Sequence, residues 1–251
     1  MKAMILAAGF GTRLKPLTDS IPKAMINING IPVIGIVIRR LIYFGATDII
    51  INLHYIPGLI ISYVENLNFP GVNFHFSPED EKILDTGGAI RHARELLDDG
   101  EPFIVHNSDV ISDIDLSQMF QFHRASDALA TLAVKGKKSE RCLLFDQKWQ
   151  LAGWENHASG EKRIARPSRG PDLNRIGFCG IHVISPEIFR HMPGEDVFSI
   201  ITTYMKACGS SRILGFPVEK NLWIDIGSHS QLEEARRIDP AKYLPEITYD
   251  G

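Results

Sequence analysis

The chain has 251 residues, 44% of them hydrophobic and 23% charged, which suffices for a full buried core and is the make-up of a globular protein. Its formal net charge of −3 excludes a general nucleic-acid binder, which needs a basic excess or stripe. No apolar run is long enough to span a bilayer.

The start, Met1-Lys2-Ala3-Met4, carries no secretory cleavage pattern, and Cys142, Cys179 and Cys208 are odd in number and scattered. They suggest neither a disulfide framework nor a zinc site, so a reducing, cytoplasmic setting is expected.

Lys2 to Ala8 is an apolar run closed by glycines and predicts a buried strand. The loop after it, Gly9-Phe10-Gly11-Thr12-Arg13-Leu14-Lys15-Pro16, runs on to Pro22-Lys23. Its glycines let backbone N–H groups approach a ligand, and Arg13, Lys15 and Lys23 add positive charge. The combination asks for a polyanion, most simply a nucleoside triphosphate. It is not a P-loop, which needs Gly-Lys-Ser or Gly-Lys-Thr opening a helix, nor a dinucleotide fingerprint, which needs a third glycine where Leu14 stands. Pro16 and Pro22 predict an extended, open flap. An ordinary Gly/Pro surface loop is the plainer alternative.

Further along, Ile34 to Phe44 predicts a buried helix closed by Gly45, and 48–53 a strand. A helix opens at Pro57 and reaches about Asn68; a strand follows at 72–76. Thr86-Gly87-Gly88 starts a helix through Leu97, and Phe103 to Asn107 is a strand with Asp109 just beyond it. Alternating strands and helices predict an α/β fold with a mostly parallel sheet flanked by helices.

The second half changes character. Short strands are expected at 128–134, 142–145 and 150–154, then a polar loop from Asn156 to Asn174. A strand at 178–184, a short helix at 186–191 and a longer one at 196–208 come next. Strands at 212–218 and 222–226 precede a closing helix capped by Ser228 with Gln231. No repeat or linker is visible. A single domain over 1–251 is expected, with a nucleotide half to about 125 and an acceptor half from about 126.

Asp109, at the carboxyl end of a strand, is placed where open α/β sheets bind ligands and is a candidate magnesium carboxylate; a turn aspartate is the alternative. Asp225, inside Trp223-Ile224-Asp225-Ile226-Gly227, is costly to bury without a cation or a basic partner. The two carboxylates are expected to share one metal. Thr86-Gly87-Gly88-Ala89-Ile90 suits a base lying on the backbone and taking its N–H donors, or a helix start chosen for packing. The histidines are scattered and no pair has ligand spacing.

Leu6-Ala7-Ala8-Gly9-Phe10-Gly11-Thr12-Arg13-Leu14 with Pro22-Lys23, then Thr86 to Ile90, Asn107-Ser108-Asp109 and Trp223 to Gly227, resembles the ordered motifs of the sugar-1-phosphate nucleotidylyltransferases. The likeness is nearest to short members without a β-helix tail, such as the N-acetylmuramate-1-phosphate uridylyltransferases; mannose- and heptose-1-phosphate guanylyltransferases share the pattern.

The resemblance implies a Rossmann-like, three-layer α/β/α fold and Mg²⁺-dependent transfer from UTP or GTP to a sugar 1-phosphate, by a monomer or homodimer. It implies Ala8, Gly9, Gly11 and Thr12 on the nucleotide, Arg13 on the departing pyrophosphate, Lys23 on the reacting phosphates, and Gly87 and Gly88 along the base. Asp109 and Asp225 would hold the metal and Glu155 a sugar hydroxyl. Ser108 departs from the glycine many members carry there, and 155–174 matches no member well. A binding protein that has kept the fold without catalysis, or a cytidylyltransferase with a non-sugar acceptor, are the other classes the residues allow.

Overall fold

A computed structural model describes residues 1–136, 140–167 and 173–246. In chain order the elements are β1 (Lys2–Leu6), β2 (Asn27–Ile28), β3 (Ile31–Pro32), α1 (Val33–Tyr43), β4 (Asp48–Leu53), α2 (Pro57–Glu65), β5 (Asn73–Pro78), α3 (Asp85–His92), α4 (Arg94–Leu97), β6 (Phe103–Asn107), β7 (Val110–Ser112) and α5 (Leu116–Ala125). There follow β8 (Ala130–Lys135), β9 (Arg141–Phe145), β10 (Leu151–Asn156), β11 (Glu161–Ile164), β12 (Asn174–Ile184), α6 (Ile200–Ala207), β13 (Ile213–Pro217), β14 (Trp223–Asp225) and α7 (His229–Arg237). No helix among the described residues is long and apolar enough to cross a membrane.

The chain divides into two compact units. Unit 1 is residues 1–83, 105–116 and 221–251; unit 2 is 84–104 and 117–220. In unit 1, β1, β4 and β5 pair in parallel with Met4 opposite Ile50 and Ile50 opposite His75. The strand order β6-β1-β4-β5 makes β1 the switch point of the sheet, where ligand sites form outside the carboxyl ends. Helix α1 is buried along most of its length. It ends on Gly45 at φ 88°, with the Ala46 N–H on the Leu41 carbonyl, the C-cap that glycine makes cheaply.

Arg40, buried on α1, donates to the carbonyls of Ile114 (2.6 Å) and Tyr243 (3.3 Å). Burial lowers its pKa to about 10. One hydrophobic cluster, including Leu14, Ile28, Ile36, Ile111, Ile224 and Leu232, ties the glycine loop, α1, the β7–β14 ladder and α7 together.

In unit 2, β8 lies between β12 (antiparallel) and β13 (parallel), while β12, β9, β10 and β11 continue as antiparallel neighbours. Parallel strands joined by helices, with antiparallel strands added, make the expected α/β mixed sheet flanked by helices.

Five expectations need correction. The flap is not extended: 3₁₀ turns at Thr12–Leu14, Leu17–Asp19 and Lys23–Met25 fold it, because Leu14, Thr18 and Ala24 are buried and pull it onto unit 1. The Pro57 helix stops at Glu65, and the helix from Thr86 breaks at Ala93 into α3 and α4. Helix α6 starts at Ile200, where the Ser199 hydroxyl caps the Ile201 N–H, not at Asp196. The polar segment after Asn156 contains strand β11, paired with β10; residues 168–172 of that segment lie outside the described residues.

Candidate active site

The glycine loop is shaped by close contacts. Gly11 has φ 65°, a left-handed conformation that costs glycine least, and a Cβ there would stand 3.0 Å from Thr18 Cγ2 and 3.1 Å from Lys23 Cβ. The Thr18 hydroxyl donates to the Gly11 carbonyl at 2.9 Å. Tyr55 donates to the carbonyls of Thr18 (3.0 Å) and Asp19 (3.1 Å), and Phe10 meets the rings of His54 and Tyr55 edge-on. Gly9, Thr12 and Arg13 stay exposed on the folded loop.

Asn52 and Glu79 were not singled out from the sequence, yet they fix where the loop begins. The Ala7 N–H donates to Asn52 Oδ1 (2.6 Å), and Asn52 Nδ2 donates to Glu79 Oε1 (2.7 Å). Both side chains are buried, and Ala8 beside them is 5% exposed. The signal was present: a lone amide at the end of the run Ile49-Ile50-Ile51-Asn52 has to find partners inside the protein.

The two aspartates come together on a short ladder. β7 and β14 pair antiparallel with Val110 opposite Asp225, and the Ile226 N–H donates to the Asp109 carbonyl at 2.9 Å. Lys23 completes the group: its Nζ is hydrogen-bonded to Asp109 Oδ2 and lies 3.6 Å from Asp225 Oδ1. A single cation thus already bridges both carboxylates. Arg13 joins from the loop. A Cβ on Gly227 would lie 2.6 Å from Arg13 Nη2 and 3.0 Å from Asp225 Oδ1, so only glycine lets the guanidinium settle there. Ser108 is buried, with its N–H on the Leu6 carbonyl (3.1 Å), which fastens the approach to Asp109 onto the end of β1.

The remaining candidates belong to unit 2. Gly87 and Gly88 both donate their N–H to the Phe198 carbonyl (2.9 and 3.2 Å). A Cβ would meet the Phe198 ring at 2.4 Å from Gly87 and the Asp196 carbonyl at 2.2 Å from Gly88. Packing therefore explains both glycines, and their N–H groups are engaged within the protein instead of being offered to a base. Glu155 on β10 is buried and accepts from Arg175 Nε (2.7 Å), with His157 Nε2 at 3.1 Å. Arg175 escaped the sequence reading because its partner lies across the sheet.

Two carboxylates around a common cation are what magnesium asks of a protein when phosphate oxygens and water supply the rest of its shell. Among the described residues, no group of three or more His, Cys, Asp or Glu side chains is gathered for a metal. Asp109 and Asp225, gathered around the Lys23 ammonium, are a carboxylate pair of the kind such an ion uses.

Residues 2–142 match the nucleotidyl transferase family. Over 242 residues the chain is 31% identical to the N-acetylmuramate alpha-1-phosphate uridylyltransferase of Neisseria meningitidis serogroup B, covering 95% of this chain and 98% of that protein. It is 30% identical over 257 residues to the mannose-1-phosphate guanyltransferase of Hypocrea jecorina; the match takes in 100% of this chain and 66% of that longer protein. The crystal structure of HddC from Yersinia pseudotuberculosis complexed with GMP-PN matches with a TM-score of 0.73 and 25% identity, over 94% of this chain and 97% of that one. With a glycine–arginine loop, a lysine and two aspartates assembled at the ends of a parallel sheet, and with these relatives, the chain belongs to the nucleotidyl transferase family.

Proposed function

We propose that this protein transfers a nucleotidyl group from a nucleoside triphosphate to a sugar 1-phosphate and releases pyrophosphate, as an N-acetylmuramate-1-phosphate uridylyltransferase does. The observation that carries the reading is the bridging of Asp109 and Asp225 by Lys23, with Arg13 beside them on Gly227. The relative named for that activity is matched over almost its full length.

In the reaction an oxygen of the sugar phosphate attacks the α-phosphorus as the bond to the β-phosphate oxygen breaks. The nucleophile needs no general base, since a phosphomonoester with a second pKa near 6 is largely dianionic at neutral pH. Positioning and charge neutralisation then carry the catalysis. Gly9, Gly11, Thr12 and Ala8 would receive the nucleotide, and Arg13 would meet the charge that grows on pyrophosphate. Lys23, which balances the carboxylate pair, would meet the incoming phosphates. Asp109 and Asp225 would hold Mg²⁺, which when bound supplies further neutralisation of the triphosphate. Gly87 and Gly88, with their N–H groups engaged by Phe198, would line the base through backbone contact alone. Glu155, oriented by Arg175, would take a sugar hydroxyl.

The chemistry of nucleotide-sugar supply for a cell wall or polysaccharide, in the cytoplasm, fits this activity. A second reading is a guanylyltransferase for mannose or heptose 1-phosphate, favoured by the fungal relative and by the likeness to HddC in complex with GMP-PN. Pyrophosphate release from UTP, GTP, CTP and dTTP against N-acetylmuramate, mannose, heptose and glucose 1-phosphates, with and without chelator, separates the two. Turnover that stops on chelation is expected. Tight nucleotide binding by calorimetry without pyrophosphate from any pair would instead indicate a binding protein.

A further inference from the structure

Between the end of β4 and the start of α2, His54-Tyr55-Ile56 forms a turn to which the transfer reaction above gives no part. It is tied down at both ends. His54 Nδ1 donates to the Glu79 carbonyl at 2.6 Å, at the carboxyl edge of the parallel sheet. Ile56 enters α2 at φ 46° and ψ 56°, in the left-handed region that a β-branched side chain rarely occupies. So unfavourable a conformation persists only where the surrounding structure holds it, and such residues gather where a functional group has to be placed.

What the turn places is Tyr55. Its ring meets Phe10 with centroids 5.5 Å apart, and its hydroxyl reaches the glycine loop, where one proton is shared between the carbonyls of Thr18 (3.0 Å) and Asp19 (3.1 Å). Thr18, which is buried, passes the contact on. Its hydroxyl donates to the Gly11 carbonyl at 2.9 Å, and the same oxygen accepts the Leu14 N–H at 2.9 Å. That second bond belongs to the 3₁₀ turn Thr12–Leu14, whose middle residue is Arg13. A short run of hydrogen bonds therefore joins the Tyr55 hydroxyl to the backbone that carries Arg13. Arg13 itself is exposed, so the backbone turn, not burial, sets where its guanidinium can reach.

We infer that Tyr55 is a positioning residue for the transfer step: through Thr18 and Gly11 it fixes the turn from which Arg13 meets the charge growing on pyrophosphate. The inference rests on the nucleotidylyltransferase reading. A loop with glycines at 9 and 11 is free to wander unless it is pinned, and a misplacement of about 1 Å costs about 100-fold in a reaction carried by positioning. Phenylalanine at position 55 would keep the ring against Phe10 and lose only the shared proton, so the hydroxyl and not the ring carries the effect.

The test measures initial rates of pyrophosphate release for wild type, Tyr55→Phe, Arg13→Ala and the double variant, with whichever triphosphate and sugar 1-phosphate turn over and with enough enzyme to keep Arg13→Ala measurable. Tyr55→Phe should lower kcat about 10- to 100-fold and leave the KM for the triphosphate within about threefold, the split expected of an interaction made in the transition state. In the Arg13→Ala background the same change should cost less than about twofold, because the group it places is already gone. A tyrosine that only steadies the fold would lower both backgrounds by one factor. Thr18→Val cuts the next link and should cost about as much as Tyr55→Phe, whereas Thr18→Ser keeps the hydroxyl and should retain most of the activity. This second pair decides the matter should Tyr55→Phe not fold. Wild-type kcat in Tyr55→Phe, equal factors in the two backgrounds, or equal losses in Thr18→Val and Thr18→Ser overturns the inference and leaves the nucleotidylyltransferase reading standing. No pyrophosphate from any pair of substrates overturns both.

Discussion

At the residue scale, Lys23 is the side chain on which the charges of unit 1 turn. Its ammonium offsets two carboxylates that would otherwise face each other, so its loss should be felt in folding as well as in turnover. Lys23→Ala should melt several degrees lower than wild type in chelator and recover part of the difference as Mg²⁺ is added. A melting temperature indifferent to both lysine and magnesium would speak against a shared cation site. Asp109→Asn and Asp225→Asn keep the side-chain shape and remove one charge. Each should lower kcat about 100- to 1,000-fold, the usual cost of one preorganised electrostatic contact, with the circular dichroism spectrum preserved. Near-normal turnover in either would take that residue out of the metal site. Gly227→Ala tests the place of Arg13. A methyl group 2.6 Å from Nη2 must push the flexible guanidinium aside, so this variant should lose part of the turnover that Arg13→Ala loses.

At the scale of elements, the pairing of β7 with β14 does what no local pattern announces. Asp109 and Asp225 were legible as candidates near the ends of apolar strands, and were expected to converge on one metal. Their meeting depends on a three-residue ladder and on the Ile226 N–H reaching the Asp109 carbonyl. The long periodic or apolar segments, β1, α1, β4 and the part of β12 from Phe178, were readable because burial of a whole face determines them. The glycine loop was misread because proline content argues for an extended chain, whereas the burial of Leu14 and Thr18 folds it into turns. The late start of α6 has a similar origin, since Phe198 is held by the glycine pair and cannot join the helix. Helix α7 was legible down to its cap. Ser228 accepts from the Gln231 N–H and donates to its side chain at 2.8 Å. Ser228→Ala should therefore cost about 1 kcal/mol in urea unfolding, the ordinary worth of an N-cap. A larger loss of activity than of stability would show that α7 also steadies Gly227.

For the whole molecule, acid is the expected weakness. Burial lowers the pKa of His106 and of His123 to about 4, against about 6.5 in an unfolded chain. Between those values the unfolded state takes up protons that the folded state refuses. Stability is then fully present above about pH 6.5 and declines as pH falls toward 4, by about 2 kcal/mol per histidine at pH 5. Urea unfolding across pH 5 to 7.5 measures the decline. His123→Gln, placed to bond Thr131 and Ser185 without titrating, should flatten one share of it. What the amino-acid sequence determined alone was the α/β class, the strand-to-loop start of the candidate site and the list of charged candidates, because apolar periodicity and motif chemistry are written locally. Only the tertiary structure decided that one lysine binds both aspartates together, that Asn52 and Glu79 hold the loop, and that Arg175 reaches Glu155. Those contacts join residues far apart in the chain, and their partners are chosen by strand register and core packing, which no local run of residues records.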